Sequence, residues 1–273
     1  MGDGVMSNPY GSRVLITGGS SGLGRACALT FAKDGCTVYA LSRKCEERQE
    51  LLGSGKIVSV RADVTDMESI RRAYGQTGPV DIIIHSAGFG IAGAAEDTPL
   101  KLVQRQMDTN YYGVLRVNQV YMPDMRRQRR GLILIISSVA GRVPIPFQSH
   151  YSSCKYALEA YAECLRMECA QYGIRASLIE PGDTHTGFTG ARKFSDANSP
   201  YYEQCKKAVA QMEHDELNGR PPESVSDVAL RIAAKKNPPV RTAVGFEYKV
   251  LLFLQRLLPW NTAERILKMI YLK

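Results

Sequence analysis

The sequence is poor in the residue patterns that build metal centres or disulfide frameworks. Its seven cysteines are odd in number and include no Cys-x-x-Cys pair, and its four histidines show no metal-ligand spacing. A disulfide framework and a structural zinc site are therefore both disfavoured. We expect no bound metal, and a reducing, cytoplasmic location suits this cysteine usage best.

Long apolar runs are missing as well. The N-terminal segment MGDGVMSNPYGSR has no signal-peptide core, and Met6 stands where a myristoylation signal requires Ser or Thr. We expect residues 1–12 to form a short tail. Near the C-terminus the apolar stretch is interrupted by Gln255, Arg256 and Pro259, which leaves it too short to span a bilayer.

A nucleic-acid-binding motif is absent despite the excess of positive charge. The 35 Lys and Arg residues and 27 Asp and Glu residues give a formal net charge of +8, but they are spread along the chain and no recognition motif interleaves aromatics with glycines. The densest basic cluster, Arg126, Arg127, Arg129 and Arg130, ends a helical pattern, where cations complement the helix dipole. We expect no nucleic-acid partner.

What the sequence does contain is a regular alternation of strand and helix patterns. Strand patterns at residues 13–17, 37–41, 56–61, 80–85, 131–136 and 175–179 alternate with helical patterns at 25–34, 67–74, 100–129 and from Tyr151 onward. This order predicts an α/β fold with a single doubly wound Rossmann-type domain, in which a parallel sheet carries helices on both faces. One such domain accommodates most of the 273 residues, and we place it at 13–249.

A glycine-rich turn connects the first strand to the first helix. Glycines let the backbone approach a pyrophosphate, and the helix N-terminus offers free N–H groups and the positive end of its dipole. The strand before the turn and the helix after it favour a dinucleotide site over an ordinary turn. The candidate cofactor-binding residues here are Gly18, Ser20, Ser21, Gly22, Leu23 and Gly24.

The second strand ends in Ser42-Arg43-Lys44, where a dinucleotide-binding fold usually meets the adenosine ribose. An acidic residue there would bond the 2′-hydroxyl of NAD, whereas an arginine can neutralise the 2′-phosphate of NADP. Ser42 and Arg43 therefore favour NADP(H), with NAD(H) as the second choice. A solvated loop is the alternative.

Three polar side chains follow the most apolar strand pattern, Gly131–Ile136. Ser138 stands at the strand end, while Tyr151 and Lys155 lie four residues apart and share a helix face. A tyrosine transfers a proton near neutral pH only if its pKa falls by about 3 units from roughly 10, which requires about 4 kcal/mol. An ammonium about 4 Å away at an effective dielectric of about 20 supplies that much. The trio suits proton transfer to a carbonyl, although a Tyr-x-x-x-Lys pair alone is usually a solvated helix face.

Together these motifs resemble the short-chain dehydrogenase/reductase family. The resemblance rests on Thr17-Gly18-x-x-x-Gly22-x-Gly24, Asp63-Val64, Asn110, Ser138, Tyr151-x-x-x-Lys155 and Pro181-Gly182, in the family's order across residues 13–187. It implies a carbonyl/alcohol oxidoreductase that forms a homodimer or homotetramer. It further implies that Tyr151 is the general acid/base, that Lys155 lowers its pKa and holds the nicotinamide ribose, and that Ser138 positions the substrate oxygen.

The resemblance assigns other residues by their positions. Asn110 matches the asparagine that supports a proton relay through water, and Asp63 matches the residue that contacts the adenine amine. Thr186 matches the threonine that holds the carboxamide. As alternatives, Asp63 and Thr186 would be turn or helix caps and Asn110 a buried hydrogen-bond partner. Cofactor contacts are also implied for Val64, Pro181, Gly182 and Thr184.

One segment departs from the family pattern. The chain reads His85-Ser86-Ala87-Gly88 where the family usually reads Asn-Asn-Ala-Gly. We expect the backbone of Ala87 and Gly88 to keep its place near the adenine ribose, while the side-chain bonds that steady the sheet there are in question. We expect His85 to be a core residue without a chemical role, and Cys154 to be a bystander beside Lys155.

Apolar residues flank the polar trio. Val143–Phe147 is expected to form one pocket wall, and Gly187–Gly219 takes the place of the family's substrate lid. The chain looks most like members that act on steroids, retinoids or other lipids, so we expect a lipophilic carbonyl or alcohol substrate. A 3-oxoacyl or sugar reductase is the second hypothesis, and a non-catalytic NADP(H)-binding scaffold or redox sensor is a third. The lid segment carries Phe188, Phe194, Tyr201, Tyr202 and Met212, which would otherwise simply pack on the sheet.

Residues 250–273 depart from the family's short ending. From Val240 onward the chain has six basic and two acidic residues, a net charge of +4. We expect an amphipathic, basic extension that either lies on a membrane surface, covers the substrate pocket or enters a subunit interface. The two protein-packed arrangements are slightly favoured.

Overall fold

A central eight-stranded sheet organises the chain. The computed structural model describes residues 8–187, 193–194 (backbone only) and 198–272. In the described residues the strands of the sheet are β1 (Arg13–Thr17), β2 (Thr37–Ser42), β3 (Gln49–Leu52), β4 (Gly55–Arg61), β5 (Ile82–His85), β7 (Gly131–Ile136), β8 (Ile174–Pro181) and β10 (Arg241–Val244). Two short strands, β6 (Ile91–Ala92) and β9 (Lys193–Phe194), pair separately.

The strand order is β10-β8-β7-β5-β1-β2-β4-β3, and every neighbouring pair is parallel except β3 with β4. The chain builds outward from β1 in one direction and then crosses to β5 to build in the other. Thr17 at the end of β1 is in register with both Leu41 and His85. The predicted doubly wound α/β fold is therefore confirmed, with its topological switch point between β1 and β5.

Helices cover both faces of the sheet. They are α1 (Gly22–Lys33), α2 (Met67–Thr77), α3 (Leu100–Met107), α4 (Gly113–Gln128), α5 (Ser149–Cys169), α6 (Tyr202–Leu217), α7 (Glu223–Ala233), α8 (Phe246–Leu257) and α9 (Trp260–Tyr271). A π-helical turn at Asp108–Tyr112 joins α3 to α4, and short 3₁₀ turns span Val139–Gly141 and Ala170–Tyr172. Within the described residues no helix is both long and apolar enough to cross a membrane.

Alternate residues of the central strands point into two separate apolar cores. Ile82 and Ile84 of β5 pack with α1 and α7, whereas Ile83, on the other face, packs with α2, α4 and α5. Strands buried on both faces show continuous apolar runs, which is why GLILII and IIIH were recognisable as strands. The sheet thus forms a rigid layer whose carboxyl edge carries the loops.

Several elements were not predicted, because their local patterns are weak. Strand β3 is a partly exposed edge strand, and β10 is only four residues long. Helix α6 lies within the segment predicted to form the lid. Two aromatic residues of that segment, Phe188 and the side chain of Phe194, lie outside the described residues. The end of the predicted tail is packed against the body, since the buried Tyr10 donates its hydroxyl to the Lys235 carbonyl.

Gly75 offers a test of the local energetics. It lies inside α2, and a Cβ added there meets no atom within 4 Å. Gly75→Ala should therefore raise the free energy of unfolding by about 0.5–1 kcal/mol, because alanine has less backbone entropy to lose. Urea denaturation measures this. As the control, Gly55→Ala must destabilise, since its Cβ would lie 2.1 Å from the Ala32 carbonyl oxygen; equal effects would contradict the structure.

Candidate active site

The candidate site lies along the carboxyl edge of the sheet. The glycine turn follows β1, residues 86–88 follow β5, Ser138 follows β7, and β8 ends in Pro181. In a doubly wound sheet the crevice at this edge is where ligands bind. The loops predicted to carry the chemistry therefore share one edge of the molecule.

Two glycines of the turn occupy positions where a residue with a Cβ atom would be strained or would clash. Gly18 has φ +70, and a Cβ on Gly24 would lie 2.3 Å from the Gly18 carbonyl oxygen. Ser21 is the N-cap of α1 and makes no side-chain capping bond, and the first helical turn contains no acidic residue. The N-terminus of α1 is thus open to an anion, as a pyrophosphate cradle requires.

A second loop is tied to this cradle. The Thr17 hydroxyl accepts hydrogen bonds from the backbone N–H groups of Ser86 and Ala87, each at 3.1 Å. A Cβ on Gly18 would lie 2.9 Å from the Ala87 Cα, so the two backbones are in close contact. Ala87 and Gly88 therefore lie beside the cradle in spite of the changed residues before them.

The cradle opens into a cleft of about 390 Å³. Leu41, Ala62 and Val64 provide apolar walls of the kind that hold an adenine ring. Motif positions did not identify Phe89, Arg105 and Thr109, which enter the lining from the segment after β5 and from α3 and the π-helical turn. The cleft brings together the predicted residues Gly18, Ser20, Ser21, Ser42, Arg43, Val64, Ala87 and Gly88.

Basic side chains surround the end of β2. Arg43 and Lys44 line the cleft, and Lys44 also lines an adjoining cleft of about 260 Å³ together with Arg48 and the acidic Glu46. The hydroxyl oxygens of Ser20 and Ser42 are 2.8 Å apart at the same place. Arg25 is close by but forms an ion pair with Glu50 at 2.7 Å. This corner thus combines positive charge with two hydroxyl groups.

Tyr151 and Lys155 are both buried on one face of α5, as predicted from their spacing. The Lys155 Nζ lies 5.6 Å from the centroid of the Tyr151 ring and donates a hydrogen bond of 2.9 Å to the Ile136 carbonyl. Burial lowers the pKa of Lys155, while Cys154 and Glu159 act in the opposite direction. The ammonium is therefore fixed between the end of β7 and the tyrosine ring.

The two serines in the loop after β7 differ in their exposure to solvent. Ser137 is buried, whereas Ser138 is half-buried and its Oγ accepts a hydrogen bond of 3.1 Å from the Ala140 N–H. This loop packs directly on α5. The neighbouring Cys154 is buried, and burial raises its pKa to about 11 against the influence of Lys155. A thiol with this pKa is a poor nucleophile near neutral pH.

Asn110 occupies the π-helical turn, a form that is frequent at functional sites. Its Nδ2 donates to the Phe89 carbonyl at 2.9 Å, and its Oδ1 accepts from the Phe89 N–H at 3.1 Å. The turn also contacts α5. These hydrogen bonds are the ones expected if Asn110 is a buried hydrogen-bond partner, and they hold the loop after β5 in place.

His85 is a neutral core residue, as predicted. Burial lowers its pKa to about 4, although a hydrogen bond to Asn118 acts in the opposite direction. The His85 Nε2 lies 2.9 Å from the Asn118 Oδ1, and the Asn118 Nδ2 donates to the Tyr161 hydroxyl at 2.9 Å. A histidine–asparagine–tyrosine chain thus links β5 to α4 and α5 where the family pattern has asparagines.

The remaining predicted residues divide between the cradle and local turns. Thr186 faces the cradle, because a Cβ on Gly22 would lie 3.8 Å from the Thr186 Cβ. The Asp63 Oδ1 accepts a hydrogen bond of 2.9 Å from the Thr65 N–H. This bond is the one expected if Asp63 caps a turn. Thr184 donates to the Gly182 carbonyl at 3.0 Å, so its hydroxyl also has a local partner.

Helix α8 forms a wall that motif reasoning missed. The Tyr248 ring lies where a Cβ on Gly182 would be, 2.0 Å from the ring carbon Cζ. Its hydroxyl donates to the Asp183 Oδ2 at 2.6 Å and accepts from the Asp183 N–H at 2.9 Å. Leu252 packs with Val143 on the same side. The glycine of the Pro-Gly motif indicates that another group packs closely against the backbone there, but the sequence alone does not identify that group as Tyr248.

Phe147 forms the other end of the predicted apolar wall. Its φ of +60 is unusual for a bulky residue, and its side chain packs against Ala92, Cys205 and Val209. Because Val209 belongs to α6, this helix packs against the loop. Residues 143–147 thus touch α6 at one end and α8 at the other.

An ionic cluster is built around two buried carboxylates, Glu159 and Glu180. The Arg241 Nε is 2.8 Å from the Glu159 Oε2 and 3.3 Å from the Glu180 Oε1, and its Nη1 is 2.5 Å from the Glu163 Oε1. The Arg142 Nη1 is 3.6 Å from the Glu180 Oε1. Burial and the neighbouring Glu159 raise the pKa of Glu180 to about 7, against Arg142 and Arg241. The cluster joins α5, β8, β10 and the loop after Ser138.

The parallel sheet, the glycine cradle and the buried tyrosine–lysine pair define a nucleotide-binding α/β oxidoreductase. The sequence matches the family model described as short chain dehydrogenase over residues 12–196. The protein therefore belongs to the short-chain dehydrogenase/reductase family and is an NAD(P)-dependent oxidoreductase. Members of this family act on carbonyl or alcohol substrates and are usually oligomeric.

Known proteins resemble the chain over nearly its full length. It is 38% identical over 266 residues to a 3-ketodihydrosphingosine reductase of Bacteroides thetaiotaomicron, which covers 94% of this chain and 97% of the relative. It is 30% identical over 269 residues to retinol dehydrogenase 8 of Bos taurus, at 90% and 85% coverage.

Solved structures show the same fold. A short-chain dehydrogenase from Streptomyces avermitilis has a TM-score of 0.78 at 28% identity, covering 94% of this chain and 96% of the other. A 3-oxoacyl-[acyl-carrier protein] reductase with bound NAD from Brucella melitensis has a TM-score of 0.69 at 27% identity, with 87% and 92% coverage. A short chain dehydrogenase from Burkholderia cenocepacia in complex with NADP has a TM-score of 0.76 at 20% identity, with 96% and 99% coverage.

The raised pKa of Glu180 predicts a pH dependence of stability. The folded protein holds this proton more tightly than the unfolded chain, so the contribution of Glu180 is present below pH 4.5 and lost as the pH rises to about 7. Glu180→Gln keeps a neutral side chain at every pH. The free energy of unfolding of the variant, minus that of the wild type, should therefore increase between pH 4.5 and about 7 and then level off.

Urea denaturation across this pH range measures the difference. The matched control is Glu163→Gln, which removes the more exposed partner of Arg241. The control should leave the pH dependence as in the wild type. A difference between Glu180→Gln and the wild type that stays constant with pH would show that Glu180 is ionised throughout.

Proposed function

We propose that the protein is an NADP(H)-dependent oxidoreductase that interconverts a carbonyl and an alcohol on a lipophilic substrate. The observation that carries the proposal is the Tyr151–Lys155 pair, buried on one face of α5 with the ammonium 5.6 Å from the ring centroid. The pair lies at the sheet edge that also carries the glycine cradle. A scaffold that only binds a nucleotide has no need for this pair.

The chain's own residues have distinct roles in this reaction. When bound in the cradle, the nicotinamide cofactor supplies or accepts the hydride. Tyr151 donates the proton to the carbonyl oxygen in reduction and removes it from the alcohol in oxidation. Lys155 favours the phenolate form and contacts the nicotinamide ribose, and the Ser138 hydroxyl aligns the substrate oxygen.

The other predicted residues support the cofactor and the proton path. Asn110 holds the loop after β5 through Phe89 and is proposed to support a proton relay through water. The cradle residues bind the pyrophosphate, and Val64, Ala87 and Gly88 line the adenosine end. Asp63 is proposed to contact the adenine amine. The turn after β8, with Pro181, Gly182, Thr184 and Thr186, is proposed to hold the nicotinamide end.

The preference for NADP(H) rests on the corner at the end of β2. Arg43 and Lys44 line the cleft, and no ion pair involves either side chain within the described residues. A 2′-phosphate would supply the missing negative charge, and the Ser20 and Ser42 hydroxyls are placed to donate to it. Structural neighbours with NADP and with NAD both occur, so the choice rests on these side chains.

The lipophilic substrate is supported by the walls of the site. Val143 and Phe147 connect the loop to α8 and α6, which are apolar at both contacts. Two relatives, a 3-ketodihydrosphingosine reductase and a retinol dehydrogenase, are named for lipids. A 3-oxoacyl reductase is the second candidate, because one structural neighbour at 27% identity has that activity in its name.

The organisation of the chain completes the proposal. We propose a catalytic domain at residues 13–249 with a substrate lid at about 187–219, and a C-terminal extension beyond it. Helix α6 lies within the lid, and α8 already begins at Phe246. A homodimer or homotetramer in the cytoplasm remains our expectation.

Loss of the Tyr151 hydroxyl should abolish turnover. Tyr151→Phe should lower kcat by about 10²–10⁴-fold, the usual contribution of a general acid, and leave NADPH affinity unchanged because the ring remains. Turnover is followed by NADPH absorbance with 3-ketodihydrosphingosine, and by NADP reduction with retinol. The control, Tyr172→Phe in the turn after α5, should keep full activity. Full turnover by Tyr151→Phe would exclude this mechanism, and NADPH binding without turnover by the wild type on a wider carbonyl panel would favour the scaffold.

The cofactor preference has its own test. Arg43→Asp should lower NADPH affinity about tenfold or more, the value of a lost charge-assisted hydrogen bond, and leave NADH affinity nearly unchanged. Fluorescence titration of both cofactors gives the ratio of dissociation constants. Arg231→Asp, on the exposed side of α7, is the matched charge control. A ratio unaltered by Arg43→Asp would mean that this corner does not meet the 2′-phosphate.

A further inference from the structure

The two C-terminal helices carry a large apolar surface that the described part of the chain leaves uncovered. Nineteen large hydrophobic side chains are exposed in the described residues, and eleven of them lie between positions 246 and 270. Ordinary protein surfaces expose such residues singly. The eleven are Phe246, Val250, Leu251, Phe253, Leu254, Leu257, Leu258, Trp260, Ile266, Met269 and Ile270.

Helix α8 has two apolar faces. One face packs inward, where Tyr248 and Leu252 contact the wall of the candidate site. The other forms a stripe at positions 246, 250, 253, 254 and 257, which recur at helical spacing, and it points away from the body. A helix that only covered the substrate pocket would need the inward face alone. The outward stripe therefore requires a separate explanation.

Positive charge borders the stripe. Lys249 and Arg256 are seven residues apart and follow one edge of α8, and Arg265 is exposed on α9. Within the described residues, none of these three cations takes part in an ion pair. Trp260, which prefers the boundary between apolar and polar media, is exposed where the two helices meet.

The acidic residues of the two helices are already neutralised. Glu247 forms a bidentate pair with Arg220, at 2.7 and 2.9 Å, and Glu264 pairs with Lys268 at 2.7 Å. The outward surface thus presents apolar side chains together with uncompensated positive charge. This combination suits an anionic lipid surface, where each cation near the headgroups adds to the attraction.

A second copy of the chain is a poorer occupant for this surface. A two-fold contact places the same patch against itself, so the unpaired cations of one copy would meet those of the other. The negatively charged phosphates of lipid headgroups would instead attract these cations.

We propose that α8 and α9 dock the protein on the surface of an anionic bilayer, with the outward stripe of α8 and Trp260 in the boundary layer. Membrane binding does not require turnover, so this proposal can be tested independently of the proposed reaction.

Vesicle co-sedimentation of the full chain tests the proposal. The protein should bind vesicles of equal phosphatidylcholine and phosphatidylglycerol, and bind more weakly to phosphatidylcholine alone or at high salt. Phe253→Asp with Leu257→Asp should reduce binding at least about 100-fold, because two apolar side chains no longer leave water. Lys249→Gln with Arg256→Gln should reduce it about 25-fold, about fivefold for each charge.

The matched control places the same substitution on exposed leucines elsewhere. Leu51→Asp with Leu100→Asp changes side chains that are 72% and 69% exposed, and it should bind as the wild type does. Circular dichroism verifies that each variant is folded. The proposal is overturned if mixed vesicles bind no more protein than neutral ones do, or if the α8 variant binds as well as the wild type. It is equally overturned if sedimentation velocity shows that the α8 substitutions dissociate an oligomer that does not bind vesicles, since a second copy would then be the occupant.

Discussion

The burial of one ammonium group is the constraint on which the candidate site depends. Lys155 gives up most of its hydration, and the Ile136 carbonyl at 2.9 Å provides part of the replacement. A charge held away from water is screened less than one in water, so its effect on Tyr151 depends on β7 and α5 keeping their relative positions. The two apolar cores and the ionic cluster around Arg241 maintain that register.

The rest of the carboxyl edge is built around the same pair. The strand order places β2 on one side of β1 and β5 on the other, and this switch point opens the crevice that the glycine turn lines. Thr17 ties the loop after β5 to this turn, and the π-helical turn with Asn110 holds the same loop from the opposite side. The glycine cradle and the Tyr151–Lys155 pair are therefore parts of one edge of the sheet.

Local patterns in the sequence were sufficient for six of the eight strands described in the sheet, for the glycine turn, and for the shared helix face of Tyr151 and Lys155. Apolar runs identify strands that are buried on both faces, and fixed spacing identifies residues on one helix face. The contact of Tyr248 with Gly182 and the cluster of Glu180 with Arg241 join residues about sixty positions apart, and no local period encodes such a pairing. Helix α6 was not predicted, because three of its four buried residues, Cys205, Ala208 and Val209, are small and give its regular helical spacing little hydrophobic contrast.

The ring of Tyr248 occupies the space that a side chain at Gly182 would need. Helix α8 is therefore a structural partner of the Pro181-Gly182 turn, and the two cannot be exchanged independently. An enzyme of this family with a short ending could not acquire this extension without room at that turn, and a version of this chain cut before α8 would leave a hole in its own wall. Under the two proposals, substitutions in α8 would alter substrate range through its inner face and membrane docking through its outer face.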